Sequence, residues 1–230
     1  PCAQRRAPSS DGSIIFRSPV DGPLLTVIAN HVVRGRIIFP GAGYLETACA
    51  TGAPALRGVF FLQPLAVESH GVLIECALAD GRFEVRSAEA HAIADATVHC
   101  SGATTGNGEW QRIGHAPLRA PLCVVHVPAL YGGFDAVGLQ YGPGYRTIVQ
   151  AWGGASTAAA RLRARATPED ALVHPADLDD ALCTSAAIGS GGGDGATRLP
   201  FAVDDAQLQV ATGSLWAVRC TFAVRSFCAL

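Results

Sequence analysis

Two short segments of the chain carry residue types that could together move a proton on and off a substrate carbon. The first reads His31-Val-Val-Arg-Gly35-Arg-Ile-Ile-Phe-Pro40-Gly41-Ala-Gly43-Tyr44. The second reads His174-Pro175-Ala-Asp177-Leu-Asp179-Asp180-Ala-Leu-Cys183. In the first, an imidazole stands between an apolar run and a Pro-Gly that opens a helix-like pattern, which sets a base beside the free N–H groups of a helix N-terminus. A neutral imidazole suits proton abstraction because its unperturbed pKa of about 6.5 lies near working pH. In the second, Asp179 heads a helical pattern among Leu178, Ala181 and Leu182, and a carboxyl group held in apolar surroundings can stay neutral and act as an acid. Each segment alone has a plainer reading. His31 could be a buried, hydrogen-bonded histidine, and the three aspartates could simply favour a helix N-terminus.

The elements that must position these residues fall into two similar runs. Leu24–Ile28 reads as a strand, and Ala42–Ala50 as a helix with Leu45, Ala48 and Cys49 on one face. Strand-like stretches follow at 56–62, 72–79, 83–87 and 96–101, several of them alternating. A Gly-, Thr-, Asn- and Pro-rich stretch from Gly102 to about Pro121 reads as a linker. A short helix over 129–136, strands over 147–152 and 158–164, a second helix over 177–188, and strands near 206–210 and 215–224 complete the second run. A nearly apolar helix followed by several strands, occurring twice, predicts an α+β protein in which each antiparallel sheet wraps a helix. Crossover helices for a parallel sheet are too few. The expected division is 1–104, a linker over 105–125, and 126–230.

Composition excludes several other functions. An apolar fraction of 49% and a charged fraction of 16% over 230 residues indicate a well-buried globular core. A net charge of −2 gives no reason to expect a nucleic acid or a charged membrane surface. No apolar run approaches the roughly 18–20 residues of a transmembrane helix, and no signal peptide is visible, so a cytoplasmic location is expected. The absence of an initial Met reads as a piece of a longer polypeptide. The eight cysteines show no metal spacing, and buried free thiols are expected. His70, His91, His99, His115 and His126 likewise lack ligand spacing. Gly41-Ala-Gly43 lacks a third glycine, the glycine run 189–195 lacks the Gly-Lys of a phosphate cradle, and no GxSxG occurs.

The motifs in combination are more specific. His31-x3-Gly35-x4-Pro40, Tyr141-Gly142-Pro143-x-Tyr145, His174-Pro175-x3-Asp179 and Leu199-Pro200-Phe201 occur in that order. The set resembles the dehydratase domain of modular polyketide synthases, whose members carry HxxxGxxxxP, YGPxF, HPALLDxxxQ and LPF segments. The likeness spans about residues 24–224 and implies a double hotdog, two helix-in-sheet halves fused in one chain. It implies His31 as base and Asp179 as acid in loss of water from a 3-hydroxyacyl thioester. The substrate would be carried on the phosphopantetheine of an acyl carrier protein, and the domain would need no cofactor of its own and no metal. Gly41 is the expected oxyanion donor, and Tyr141 and Cys183 the expected positioning residues. The family also implies neighbouring synthase domains and a homodimer. Two positions depart from its pattern: Tyr145 stands for Phe, and Cys183 stands for Gln or His, where a thiol is a much weaker hydrogen-bond donor. Alternative readings are a product-template-like cyclase, a double-bond-shifting relative, and a catalytically impaired structural domain, which Cys183 favours.

Overall fold

The computed structural model describes residues 2, 5–7, 12–53, 55–68, 71–89, 95–106, 108, 114–165, 171–188, 197, 199–209 and 216–220. In chain order the elements are β1 (Arg5–Ala7), β2 (Ile14–Pro19), α1 (Pro23–Ile28), β3 (His31–Val33), β4 (Arg36–Ile37), α2 (Gly41–Ala50), β5 (Ala55–Phe61), β6 (Val72–Ala79), β7 (Arg82–Glu89) and β8 (Thr97–Thr105). There follow α3 (His115–Arg119), β9 (Cys123–Val125), α4 (Val127–Ala136), β10 (Leu139–Tyr141), β11 (Ile148–Gly153), β12 (Thr157–Leu162), α5 (Pro175–Cys183), β13 (Ala202–Ala206) and β14 (Trp216–Cys220).

Two antiparallel sheets each enclose a helix. The first has seven strands in the order β1-β2-β6-β7-β8-β5-β13 and packs on α2. Every side chain of α2 from Ala42 to Cys49 is buried, so this helix has no wet face and sits wholly inside its sheet. Tyr44, Leu45 and Ala48 share a core with Leu56, Ile74 and Phe83. The second sheet, β14-β12-β11-β9, packs on α5, whose residues from Pro175 to Ala181 are buried. A three-stranded ribbon, β10-β3-β4, joins the halves. The fold is a double hotdog.

Several elements differ from the sequence expectation. Leu24–Ile28 is the helix α1 and not a strand: Pro23 starts it, and Leu24, Val27 and Ile28 are buried at helical spacing. The strand expected near 206–210 lies at 202–206 and pairs with β5, adding itself to the first sheet. Its Val203 and Ala206 are buried in the first core, so the sheets do not divide at residue 126. The expected linker 105–125 carries α3 and the edge strand β9. The glycine run 189–195, His70, His91 and the strand expected beyond Cys220 lie outside the described residues. Cys2, Cys49, Cys76, Cys100, Cys123 and Cys183 are free thiols, the first four of them buried. Among the described residues no helix is long and apolar enough to cross a membrane.

Gly153 lets the chain after α5 approach β11 closely, because a Cβ there would lie 1.8 Å from the Ala187 carbonyl oxygen. Gly153→Ala is expected to destabilise the fold by about 1–3 kcal/mol in urea denaturation, the usual cost of overpacking. Gly106→Ala, with open space around its Cβ, should change stability by less than about 0.5 kcal/mol.

Candidate active site

The β3–β4 connection is a two-residue turn with positive φ at both positions, 49° at Arg34 and 78° at Gly35. Such turns match the twist of paired strands, and glycine adopts this conformation without strain. The Gly35 N–H donates to Gln140 Oε1 at 2.7 Å, tying the hairpin to β10. His31, 3% exposed, points inward from β3. Its Nδ1 lies 2.7 Å from the Ile38 carbonyl oxygen. A carbonyl can only accept, so Nδ1 carries the hydrogen and Nε2 of the neutral ring keeps its lone pair.

β10 runs antiparallel to β3 with Tyr141 directly opposite His31. The His31 ring lies 5.5 Å from the Tyr141 ring and 5.3 Å from that of Tyr145, between centroids. The Gly142 N–H donates to the Asn30 carbonyl at 2.8 Å, and a Cβ at Gly142 would overlap the Asn30 side chain. Pro143 then starts a 3₁₀ turn ending at Tyr145.

α5 begins at Pro175, and the ring of His174 caps it, Nδ1 accepting the Ala176 N–H at 3.1 Å. The three aspartates of α5 meet three different environments. Asp177 pairs with Arg165 at 2.8 Å. Asp180 accepts from the Thr147 N–H at 2.5 Å, the Thr147 hydroxyl at 2.7 Å and the Tyr131 hydroxyl at 2.8 Å. Asp179, 6% exposed, faces His31, with Oδ1 3.8 Å from Nε2. Its Oδ2 is buried without a hydrogen-bond partner. Burial raises the Asp179 pKa, opposed by the nearby His31 and by the Tyr141 hydroxyl, which favours the neutral acid.

His31, Asp179, Gly41, Tyr141 and Cys183 line one cavity of about 960 Å³. Gly41 stands at the first position of α2, after Pro40 in extended conformation, where a helix N–H has no partner within the helix. A Cβ at Gly41 would lie 2.9 Å from Pro200 Cγ and 3.5 Å from the Phe61 ring, so no larger residue fits without displacing this wall. The remaining motif residues act as supports: Gly35, Gly142 and Pro143 shape turns, Pro40 and Pro175 start helices, and His174 caps one.

The family model described as "Polyketide synthase dehydratase domain" matches residues 1–93, and that described as "Polyketide synthase dehydratase N-terminal domain" matches residues 116–225. The chain belongs to the polyketide synthase dehydratase domain family. It is 33% identical over 217 residues to the polyketide synthase ThaG of Burkholderia thailandensis, covering 83% of this chain and 4% of ThaG. It is 28% identical over 214 residues to PksN of Bacillus subtilis, covering 82% of this chain and 4% of PksN. The chain thus spans a small part of these multidomain relatives. In fold it is similar to the dehydratase domain from the CurF module of curacin polyketide synthase, with a TM-score of 0.79, 22% identity, and coverage of 95% and 86% of the two chains. GphF dehydratase 1 matches with a TM-score of 0.77, 21% identity, and coverage of 94% and 84%.

In this dehydratase-family chain, Cys183 lies one helical turn beyond Asp179, half-buried, with Sγ 3.4 Å from the Tyr141 hydroxyl. Burial pushes the Cys183 thiol well above its ordinary range. His99, in contrast, is a buried structural residue between Ser87 and the Gln63 carbonyl. Among the described residues no group of three or more side chains could hold a metal ion.

Glu46 is not among the residues that the sequence motifs single out. It lies wholly buried in α2 and accepts N–H bonds from Leu172 at 2.8 Å and Val173 at 3.2 Å. Through it, the first helix holds the segment that leads into α5. The signal was present: a single acid within an otherwise apolar, small-residue helix needs a partner.

Burial raises the pKa of Glu46 from 4.5 to about 7, opposed by the Leu172 and Val173 N–H bonds. Asp180 rises from 3.8 to about 7 by burial, opposed by its bonds from Thr147 and Tyr131. Both folded-state values exceed the unfolded ones, so the folded chain keeps protons that the unfolded chain has released. This contribution to stability is fully present below pH 3.8–4.5 and is lost as pH rises through about 7. Urea midpoints are expected to fall between about pH 5 and pH 8. Glu46→Gln, which cannot titrate, should show a shallower fall.

Proposed function

We propose that the chain eliminates water from a 3-hydroxyacyl thioester to give the 2-enoyl thioester, with His31 as base and Asp179 as acid. The observation that carries this reading is the 3.8 Å approach of His31 Nε2 to Asp179 Oδ1 across one cavity. The separation is too long for a hydrogen bond and suits two groups working on adjacent substrate carbons.

The chemistry follows from the protonation states. Neutral His31, its Nδ1–H held by the Ile38 carbonyl, takes a proton from C2 at Nε2. Charge moves onto the thioester oxygen, where the Gly41 N–H and the α2 N-terminus stabilise it. A donor of this kind is worth about 2.7–4 kcal/mol in comparable oxyanion sites. The electrons then form the C2–C3 double bond as the C3–O bond breaks, and the hydroxyl leaves as water with the proton from Asp179. Hydroxide is a poor leaving group, so the acid must begin neutral, as burial of Asp179 favours. Afterwards an imidazolium and a carboxylate face each other, and transfer of the proton from His31 to Asp179 restores the starting state. The reaction is redox-neutral and calls for no cofactor in the domain. Tyr141, beside both Asp179 and Cys183, orients the carboxyl group.

The acyl group is proposed to arrive on the phosphopantetheine of an acyl carrier protein, within a synthase whose neighbouring domains flank this one and in a homodimer. Mixing the chain with 3-hydroxybutyryl-pantetheine and following loss of one water by mass tests the activity. His31→Ala should lower kcat/KM by about 10²–10⁴-fold, the usual contribution of general-base catalysis, with an unchanged circular dichroism spectrum. Parent-like turnover by that variant contradicts the assignment.

A further inference from the structure

Helix α4 borders the cavity through Ala129, Leu130, Gly133 and Phe134, continued by Val137 at its C-cap. This i, i+1, i+4, i+5, i+8 series forms one helix face, and it is wholly apolar. The Phe134 ring meets the Tyr141 ring edge-on at 5.8 Å, so this face adjoins the acid end of the site. Gly41 borders the same cavity, against Pro200 and Phe61. The Gly41 N–H and the Asp179 carboxyl group together would give a bound substrate a direction. With its carbonyl at the Gly41 N–H and its C3 hydroxyl at Asp179, a thioester directs its sulfur toward Phe61 and Pro200. Its carbons beyond C3 run past Tyr141 and Cys183 along α4.

Gly133 stands in the middle of α4, where glycine weakens a helix relative to any ordinary residue. A Cβ at Gly133 would meet no atom within 4 Å, and the residue is exposed where it lines the cavity. Its neighbour Gly132 has the same open surroundings but does not line the cavity. Resting on the dehydratase reading, we propose that Gly133 is a specificity-determining residue. By leaving the α4 wall without a side chain at this point, it admits an extended apolar acyl chain beyond C3.

The test compares kcat/KM for 3-hydroxydecanoyl- and 3-hydroxybutyryl-pantetheine in the parent chain, Gly133→Leu and Gly132→Leu. The parent is expected to use the decanoyl substrate at least as well as the butyryl one. Gly133→Leu should lower the decanoyl-to-butyryl ratio by about tenfold or more, the scale of steric discrimination in apolar pockets. Gly132→Leu, which makes the same change on the same helix away from the cavity, should leave the ratio within about twofold. An unchanged ratio in Gly133→Leu, or an equal fall in Gly132→Leu, overturns the proposal. If the parent dehydrates neither substrate, the dehydratase reading fails, and calorimetric binding of decanoyl-pantetheine decides the role of Gly133. Weaker binding by Gly133→Leu alone supports it, and equal affinity in all three chains overturns it.

Discussion

The site depends on the register of one short antiparallel ladder, in which β3 pairs with β10 and His31 faces Tyr141. These strands come from different halves, so their pairing brings the base of the first half to the acid of the second. Side chains alternate along a strand, and a slip of one residue would turn His31 away from the cavity. Bonds beyond both ends of the pairing resist that slip. Arg34 donates to the Gly138 carbonyl at 2.8 Å, and Gly142 donates to that of Asn30 at 2.8 Å. The Gly35 turn adds a third bond through Gln140. The glycines of both motifs thus set the register on which the histidine depends.

Burial then separates three aspartates that lie within four positions of one helix. Arg165 pairs with Asp177, and Thr147 and Tyr131 anchor Asp180. Asp179 instead faces the histidine across the cavity, its Oδ1 3.8 Å from Nε2 and its Oδ2 buried without a hydrogen-bond partner. A buried carboxyl group with few donors favours its proton, and that state is the one an acid for a departing hydroxyl requires. The cost of burying polar groups is offset by specific bonds wherever chemistry does not need them free. Glu46 follows the same rule at the seam, accepting two backbone N–H groups from the segment that leads into α5.

Much of the site was legible in the sequence because its residues lie in motifs whose spacing reflects local geometry. His31, Gly41, Tyr141, Asp179 and Cys183 all meet at the cavity. What misled was short-range pattern. The apolar run Leu24–Ile28 suits strand and helix equally by hydrophobicity, and Pro23 with burial at helical spacing decides for helix. β13 escaped its correct position and partner because pairing with β5 is a contact between distant segments, which no local pattern encodes. Glu46 was passed over for a related reason, since its donors Leu172 and Val173 lie in the other half of the sequence.

The central claim is a division of labour, in which His31 takes the C2 proton and Asp179 supplies the proton that the hydroxyl needs to leave. The most direct test compares 3-hydroxybutyryl-pantetheine with its 3-acetoxy counterpart, whose leaving acetate needs no proton. Asp179→Asn should lose about 10²-fold or more on the hydroxy substrate and only a few-fold on the acetoxy one, whereas His31→Ala should lose heavily on both. Equal losses by Asp179→Asn on the two leaving groups would contradict the account.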